Sequence, residues 1–173
     1  QPAEDVAEPQ VLGPGQLLGP MLPIVNPPLW ELGHVAWFQE RWVLRREGQP
    51  PLRPDADALY DSIAIAHDLR WGLPLPSLAA TGDYQVTVID KNAEALARYR
   101  AVLEKDPAQA QALEGLVNIL LETGRGAEAI DVLKAYPPEN LEASLLLGRA
   151  YARQGDLKAA RAVHEQAIAQ APA

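Results

Sequence analysis

Residues 92–173 contain an internal repeat, which constrains the fold more than any other feature of the sequence. Six positions recur at a step of 31 residues, and the pairs are Leu116 with Leu147, Leu120 with Tyr151, Gly124 with Gly155, Ala129 with Ala160, Leu133 with His164 and Tyr136 with Ala167. Glycine permits a tight turn, and small residues let two helices approach closely. A hairpin of two helices buries its apolar face only against a neighbouring hairpin, so the repeat predicts an α-solenoid.

The repeat resembles the tetratricopeptide repeat. Its last copy carries Leu147-Gly148, Tyr151, Gly155, Ala160, His164, Ala167 and Pro172 where that family carries Leu-Gly, Tyr, Gly, Ala, an aromatic residue, Ala and Pro. Upstream of both copies, Ala95, Tyr99, Val102 and Pro107 match only the second helix of a unit. The usual step is 34 residues, so we place a loss of about three residues in the Pro137-Pro138 loop. An ordinary amphipathic helical bundle is the alternative.

The resemblance implies a protein-binding surface on the concave face, which the first helix of each hairpin lines. The exposed positions of these helices are predicted to be Gln111, Glu114, Asn118, Leu121, Glu122, Glu142, Leu145, Arg149, Ala152 and Arg153. We expect binding by Asn118, Leu121, Glu122, Leu145, Arg149 and Arg153, of which the amide and the two arginines suit a carboxylate or peptide backbone. The family's chaperone-tail clamp needs a lysine where this chain has Glu114, so that ligand is not expected. A merely solvated face is the alternative.

Two and a half repeats fall short of the three that such a stack usually needs. We therefore expect the open edge near residues 95–102 to be covered by the N-terminal helices, by a second copy of the chain or by residues absent from it.

The composition argues against several classes of function. The net charge is −8 and the pI is about 4.8, whereas a nucleic-acid-binding protein needs a basic stripe. No apolar run approaches the roughly 20 residues that span a membrane. The chain has no cysteine, which excludes disulfides, thiolate zinc sites and a cysteine nucleophile. These features, and a start without a basic-then-apolar signal segment, predict a cytoplasmic protein with neither nucleic-acid nor membrane partners.

The N-terminal half contains less regular patterns. Residues 1–28 are rich in proline and glycine, so we expect them to be extended or disordered. A helix is predicted over 29–46 with Asn26 as its cap, and a second over 56–71 with Asp55 as its cap. Spacings of three and four gather six side chains along one side of the first helix, namely Trp30, His34, Trp37, Phe38, Arg41 and Trp42.

The stretch between the two halves has a different composition. Residues 84–89 alternate and are rich in β-branched side chains, so propensity predicts a strand. Because a single strand without a partner is unstable, an extended linker and pairing with a second copy are the alternatives. From Asn92 onward strong helix formers dominate, which predicts a domain boundary within 80–91.

Three motifs link the N-terminal half to a known family: NPPLWELGHVAWFQE at 26–40, DALYDS at 57–62 and RWGLPLPSL at 70–78. Residues 21–81 resemble the DinB-like domain of ergothioneine and selenoneine synthases, and they are closest to the selenoneine branch. Those proteins are non-haem iron enzymes that form carbon–sulfur or carbon–selenium bonds on a histidine betaine. The resemblance implies that the histidine at position 34 is one of three imidazole ligands of iron, with the other two supplied by a later His-x-x-x-His motif.

The sequence departs from that family at the metal site. Its three histidines are His34, His67 and His164, and no His-x-x-x-His motif is present. One imidazole does not hold Fe(II) usefully, because affinity comes from several ligands fixed in geometry. We therefore expect no cofactor and a packed, non-ligating His34. The alternative is an Fe(II) site at His34 that another chain completes.

Taken together, these patterns predict an all-α chain of four segments: an extended or disordered N-terminal segment at 1–28, a partial DinB-like helical segment at 29–81, a linker or short strand at 82–91, and tetratricopeptide-type hairpins at 92–173. The predicted function is a non-catalytic scaffold that binds a protein or peptide. One alternative is an iron-dependent ergothioneine- or selenoneine-type synthase, or a subunit of one. Another is a structural homo-oligomer paired through 84–89.

Overall fold

The computed structural model describes residues 16–45 and 47–170, and over these ranges it is all-α without a strand, which confirms the predicted fold class. The elements are α1 (Pro28–Gln39), a π-helical turn (Glu40–Leu44), α2 (Ala56–Tyr60), a 3₁₀ helix (His67–Gly72), α3 (Leu78–Lys105), α4 (Ala110–Glu122), α5 (Gly126–Lys134), α6 (Leu141–Arg153) and α7 (Leu157–Gln170). Among these elements, none is both long enough and apolar enough to cross a membrane.

The chain divides into two compact units. Within the described residues, the first takes in 16–37 together with 51–85, and the second takes in 38–45 and 47–50 together with 86–170.

In the first unit, the single helix predicted over 56–71 is wrong, because α2 ends at Tyr60. The carboxylate of Asp61 explains the break. It accepts hydrogen bonds from the backbone N–H groups of Ile63 at 2.9 Å and Ala64 at 3.2 Å. Such a local turn offers the backbone an alternative to the helical hydrogen-bond ladder.

The side chains predicted to cap the first two helices have other partners. α1 begins at Pro28, where a missing N–H is harmless. Asn26 lies two residues before that start, and its amide oxygen accepts a hydrogen bond from Arg70 at 2.6 Å. Asp55 does occupy the N-cap position of α2, but its side chain makes no capping bond and pairs with Arg53 at 2.6 Å. The prediction that the side chains of Asn26 and Asp55 cap these helices is therefore wrong.

The N-terminal segment predicted to be extended or disordered lies partly outside the described residues, which begin at residue 16. Residues 16–27 form no helix, but their backbone has fixed partners. The carbonyl of Leu17 accepts a hydrogen bond from the N–H of Leu29 at 2.9 Å. The indole N–H of Trp71 donates to the carbonyl of Gly19 at 3.2 Å. Disorder is therefore the wrong prediction for this part of the segment.

The strand or linker predicted at 82–91 is also wrong, because these residues lie inside α3. β-branched side chains favour a strand, but a lone strand leaves its backbone polar groups unpaired, whereas a helix pairs them internally. Burial along α3 recurs every three or four residues, at Thr81, Tyr84, Val88, Asn92 and Leu96. The strand propensity of the β-branched residues led the sequence analysis to overlook this helical spacing.

In the second unit, α4 with α5 and α6 with α7 form two hairpins whose turns have the same geometry. Gly124 and Gly155 have φ values of 76° and 80°, a region that glycine adopts without steric cost. Each turn closes with a bond from the residue after the glycine to a carbonyl five residues earlier, Arg125 to Leu120 at 2.7 Å and Asp156 to Tyr151 at 3.0 Å. This Schellman arrangement pairs the last carbonyls of the helix. The step of 31 residues is therefore a repeat of structure as well as of sequence.

The core of the second unit lies among α4, α5, α6 and the later part of α3. Four positions of the first repeat copy are fully buried there, namely Leu116, Leu120, Ala129 and Leu133. Tyr99 of α3 packs against this core, and its ring lies so close to Gly115 of α4 that a methyl group on the glycine would overlap it. A large side chain of α3 therefore packs directly against a small residue of α4.

The π-helical turn covers part of the core at the α4 side. Val43 packs against the apolar cluster. Next to it, the carboxylate of Glu40 pairs with the guanidinium of Arg45 at 3.1 Å, with side chains only 1% and 7% exposed. The end of the first predicted helix thus supplies some of the cover that the short repeat array requires.

Candidate protein-binding surface

The first helices of the two hairpins, α4 and α6, are joined by two polar side-chain pairs. The guanidinium of Arg149 donates to the amide oxygen of Asn118, and that of Arg153 pairs with the carboxylate of Glu122 at 2.6 Å. Each pair spans 31 residues, and none of the four side chains is buried. The structure therefore brings together four of the six predicted binding residues.

The two predicted leucines have different environments. Leu145 is 47% exposed and lies one turn before Arg149 on α6. Leu121 is 8% exposed and belongs to the core cluster, so its predicted exposure is wrong. Burying a leucine side chain contributes roughly 1.5–3 kcal/mol, which favours this buried position over an exposed one.

The charges on this face are mixed. Arg149 and Arg153 are cationic, and Glu114, Glu122 and Glu142 on the same two helices are acidic. Ion pairs at this degree of exposure contribute only about 0–1 kcal/mol, because water screens them and side-chain entropy opposes them. The existing pairs are thus weak enough to be replaced by a partner's groups.

A small pocket, which the sequence analysis missed, lies on the other side of α6. Leu147 lines this pocket. Because a helix turns about 200° between residues 145 and 147, Leu147 lies on roughly the opposite side of α6 from the exposed Leu145. The volume is about 190 Å³, and the lining includes Leu133, Tyr136, Pro138, Ser144, Leu147 and Val163. Burial raises the pKa of the Tyr136 phenol. The pocket is smaller than the roughly 300–1,000 Å³ typical of small-molecule sites. The shortened Pro137-Pro138 loop was the only hint of it in the sequence.

The predicted metal ligand, His34, lies in an aromatic cluster of the first unit. Its imidazole stacks on Trp30 with the ring centroids 4.5 Å apart and on Trp37 with the centroids 5.7 Å apart. Its Nδ1 lies 2.8 Å from the carbonyl oxygen of Tyr60. The ring is half-buried.

The aromatic residues of the first predicted helix do not share one side. Trp30 and Trp37 are buried, whereas Phe38 and Trp42 are 41% and 58% exposed. Neighbouring residues of a helix are about 100° apart, so Phe38 cannot share the buried side of Trp37. The prediction of one aromatic stripe is therefore wrong.

The side chains around His34 do not fit a three-imidazole iron site. Within the described residues, no three His, Cys, Asp or Glu side chains are arranged to hold a metal ion. His67 places Nε2 2.9 Å from the carbonyl oxygen of Val25 and packs edge-on against Trp71. His164 packs against Gly148 in the second unit. Each of the three histidines thus packs against, or hydrogen-bonds to, residues of its own unit.

Two segments of the chain match family models described as tetratricopeptide repeat, residues 90–140 and residues 131–173. The C-terminal half of this chain is a tetratricopeptide-repeat region. The matched segments take in α4 to α7 and the later part of α3, and the Asn118–Arg149 and Glu122–Arg153 pairs lie within them. Tetratricopeptide repeats in general bind other proteins, so the region supports a role in protein interaction.

Three curated relatives match part of the chain. Cellulose synthase operon protein C of Pseudomonas fluorescens (strain SBW25) is 32% identical over 120 residues, which are 62% of this chain and 9% of that protein. Hercynine oxygenase of Mycobacterium tuberculosis is 38% identical over 78 residues, 43% of this chain and 18% of that protein. Hercynine oxygenase of Mycolicibacterium smegmatis is 34% identical over 89 residues, 49% of this chain and 20% of that protein. The chain thus spans a fifth or less of each relative, and both predicted resemblances are confirmed.

Proposed function

We propose that this chain is a non-catalytic interaction module that binds a partner protein through α4 and α6. The contact surface consists of Asn118, Glu122, Leu145, Arg149 and Arg153, which we call the arginine face. The pairing of its polar side chains across successive hairpins is the observation that carries the proposal. These contacts align the two first helices, and the exposed side chain of Leu145 adds apolar surface beside them.

The partner we propose is an extended segment that carries two carboxylates. Arg149 and Arg153 lie four residues apart on α6, which is about 6 Å along the helix axis. Alternate residues of an extended peptide are about 6.6 Å apart and point to the same side. Acidic residues at positions i and i+2 of such a segment would therefore meet both guanidinium groups, and an apolar residue at i−2 or i+4 would reach Leu145.

The two arginines should contribute unequally. Arg149 donates to the neutral amide of Asn118, so a partner carboxylate would replace a neutral acceptor with a charged one and form a stronger ion pair. Arg153 already pairs with the carboxylate of Glu122, so the exchange would leave that acid without its cation. We therefore assign the larger share of the binding free energy to Arg149.

A peptide selection tests this proposal. The full chain would be used to select from a random displayed peptide library, and fluorescence anisotropy would then give the Kd of the enriched peptides. We expect an acidic i, i+2 pattern, a loss of about tenfold or more for Arg149→Ala, and a smaller loss for Arg153→Ala. Arg161→Ala is the matched control, because Arg161 pairs with Glu165 on α7. Enriched peptides without acidic residues, or binding unaffected by Arg149→Ala, would contradict the proposal.

The similarity to hercynine oxygenase favours a second candidate function. In this alternative the chain is a subunit of an iron-dependent ergothioneine- or selenoneine-type synthase, with the missing ligands supplied by another chain. The 38% identity over 78 residues is the observation in its favour. An iron-loaded assembly that forms a carbon–sulfur or carbon–selenium bond only when this chain is present would establish it. A cytoplasmic location stays a prediction, and so does self-association. Light scattering across micromolar concentrations tests self-association.

A further inference from the structure

Three ring nitrogens of α1 point at the short helix α2 in the first unit. The indole N–H of Trp30 donates to the carbonyl oxygen of Leu59 at 2.7 Å. The Nδ1 of His34 lies 2.8 Å from the carbonyl oxygen of Tyr60. The indole N–H of Trp37 donates to the carboxylate of Asp57 at 2.6 Å. Leu59 and Tyr60 are the last two residues of α2.

The position of these bonds gives them a specific role. The last four carbonyls of an α-helix have no partner within the helix, and α2 is only five residues long. Asp61 follows with an extended ψ of 102°, so the helical ladder does not continue. A buried carbonyl without a donor costs roughly 1–3 kcal/mol. The ring N–H groups of Trp30 and His34 supply these donors.

The contact with Tyr60 also determines which nitrogen of His34 carries a proton. A carbonyl oxygen only accepts, so Nδ1 must be the donor. The stacking on Trp30 and Trp37 holds the imidazole in this orientation. The guanidinium of Arg70 lies 4.2 Å from the centroid of the Trp30 ring, so a fixed cation already occupies the same cluster.

We infer that Trp30 and His34 form a ring clamp that closes the C-terminus of α2, while Trp37 bonds Asp57 in the first turn of the same helix. His34 holds this position as a hydrogen-bond donor through Nδ1. A role as an iron ligand is disfavoured because the described residues bring no three His, Cys, Asp or Glu side chains together around a metal position. The inference disagrees with the role that the resemblance to iron-dependent synthases implies for this histidine. It concerns the first unit alone and does not depend on the arginine face of the second.

Two substitutions separate a donor from a ligand. The amide nitrogen of asparagine is attached at the same position along the side chain as Nδ1, whereas that of glutamine reaches the position of Nε2. His34→Asn therefore keeps a donor for Tyr60, and His34→Gln does not. Both variants lose the aromatic stack, so the difference between them reports mainly on the hydrogen bond to Tyr60. His67→Gln is the control, because His67 is a second histidine whose ring nitrogen faces a backbone carbonyl.

The measurement is urea unfolding of the full chain in a Trp42→Phe background, followed by tryptophan fluorescence. Of the four tryptophans, this leaves Trp30, Trp37 and Trp71, which all belong to the first unit. We expect the unfolded-to-folded ratio to be about tenfold higher for His34→Gln than for His34→Asn. Anaerobic Fe(II) titration should give the same weak response in the parent and in both variants.

Two results would overturn the inference. The first is equal stability of the asparagine and glutamine variants, which would mean that the hydrogen bond to Tyr60 contributes nothing. The second is stoichiometric Fe(II) binding at micromolar concentration that His34→Asn abolishes, which would restore His34 as a ligand. Neither result bears on peptide binding by α4 and α6, so the two proposals fail independently.

Discussion

The imidazole of His164 lies directly against Gly148, so that a methyl group added to the glycine would overlap the ring. Residue 164 occupies the aromatic position of the last repeat, and residue 148 lies on the facing helix α6. Tyr99 and Gly115 make the same kind of contact between α3 and α4. In both places a glycine lets a ring reach the backbone of a neighbouring helix, so that the two helices can pack closely.

Gly148→Ala should destabilise the second unit by about 1–3 kcal/mol, the usual cost of overpacking a fitted core. Urea unfolding measured by circular dichroism gives the change in the free energy of unfolding. Adding His164→Ala should recover part of the loss, because the overlap is then relieved. An alanine variant as stable as the parent would contradict the contact.

Gly155→Ala should destabilise the same unit by about 1–2 kcal/mol for a different reason. Gly155 has a φ of 80°, where a Cβ collides with the following carbonyl. The cost comes from the backbone, since no atom lies near the added methyl group. Gly155→Asn should cost less than the alanine variant, because asparagine tolerates this conformation better. Reversal of that order would argue against the Schellman turn.

Gly82→Ala should have the opposite sign and stabilise the chain by about 0.5–1 kcal/mol. Gly82 lies inside α3, its φ is not positive, and the added methyl group would meet no atom. Alanine reduces the entropy that the backbone loses when a helix forms. Thermal unfolding provides the test. Because alanine is unfavourable in strands, a destabilised variant would support the strand prediction for residues 82–91.

Glu40→Gln should destabilise the second unit strongly, by about 3–5 kcal/mol, because it removes the charge of a carboxylate that pairs with the buried guanidinium of Arg45. Replacing both residues by methionine should cost clearly less, since no isolated charge then remains. Chemical denaturation of both variants measures the two losses. A double methionine variant that loses as much stability as Glu40→Gln would contradict the prediction.

Stability should fall at alkaline pH because of Tyr60. Burial raises the pKa of this phenol above its ordinary value of 10.0, while the hydroxyl of Thr81 acts in the opposite direction. A group whose pKa is raised on folding contributes fully below its unfolded pKa and loses that contribution as the pH rises through the folded value. The decline should therefore begin near pH 10, and Tyr60→Phe should reduce it. Urea midpoints measured against pH, with tryptophan fluorescence as the signal, test this.

The second unit was largely predictable from the sequence. Its hairpins follow from a pattern in which each position has a local reason, such as glycine at a turn with positive φ or alanine at a close helix contact. The candidate surface was predicted from the same frame, and five of its six residues are not buried. Leu121 was misplaced because the pattern alone does not report which positions neighbouring side chains cover.

The first unit was predicted less well, because its helices are short and their ends depend on single side chains. The break after Tyr60 arises from the carboxylate of Asp61, which competes with the helical ladder. The role of His34 depends on the carbonyl of Tyr60, which lies 26 residues away and is available only because α2 ends there.

The sequence by itself determined the helical character of the chain, the step of 31 residues and the glycine turns, because these depend on interactions within a few residues. Only the tertiary structure decided that residues 82–91 are helical, that Val43 covers part of the repeat core and that His34 faces the end of α2. Those outcomes depend on contacts between residues far apart in the chain. Burial of side chains such as Tyr84 and Val88 outweighed the local strand propensity. That burial depends on distant residues, so a short window of sequence does not reveal it.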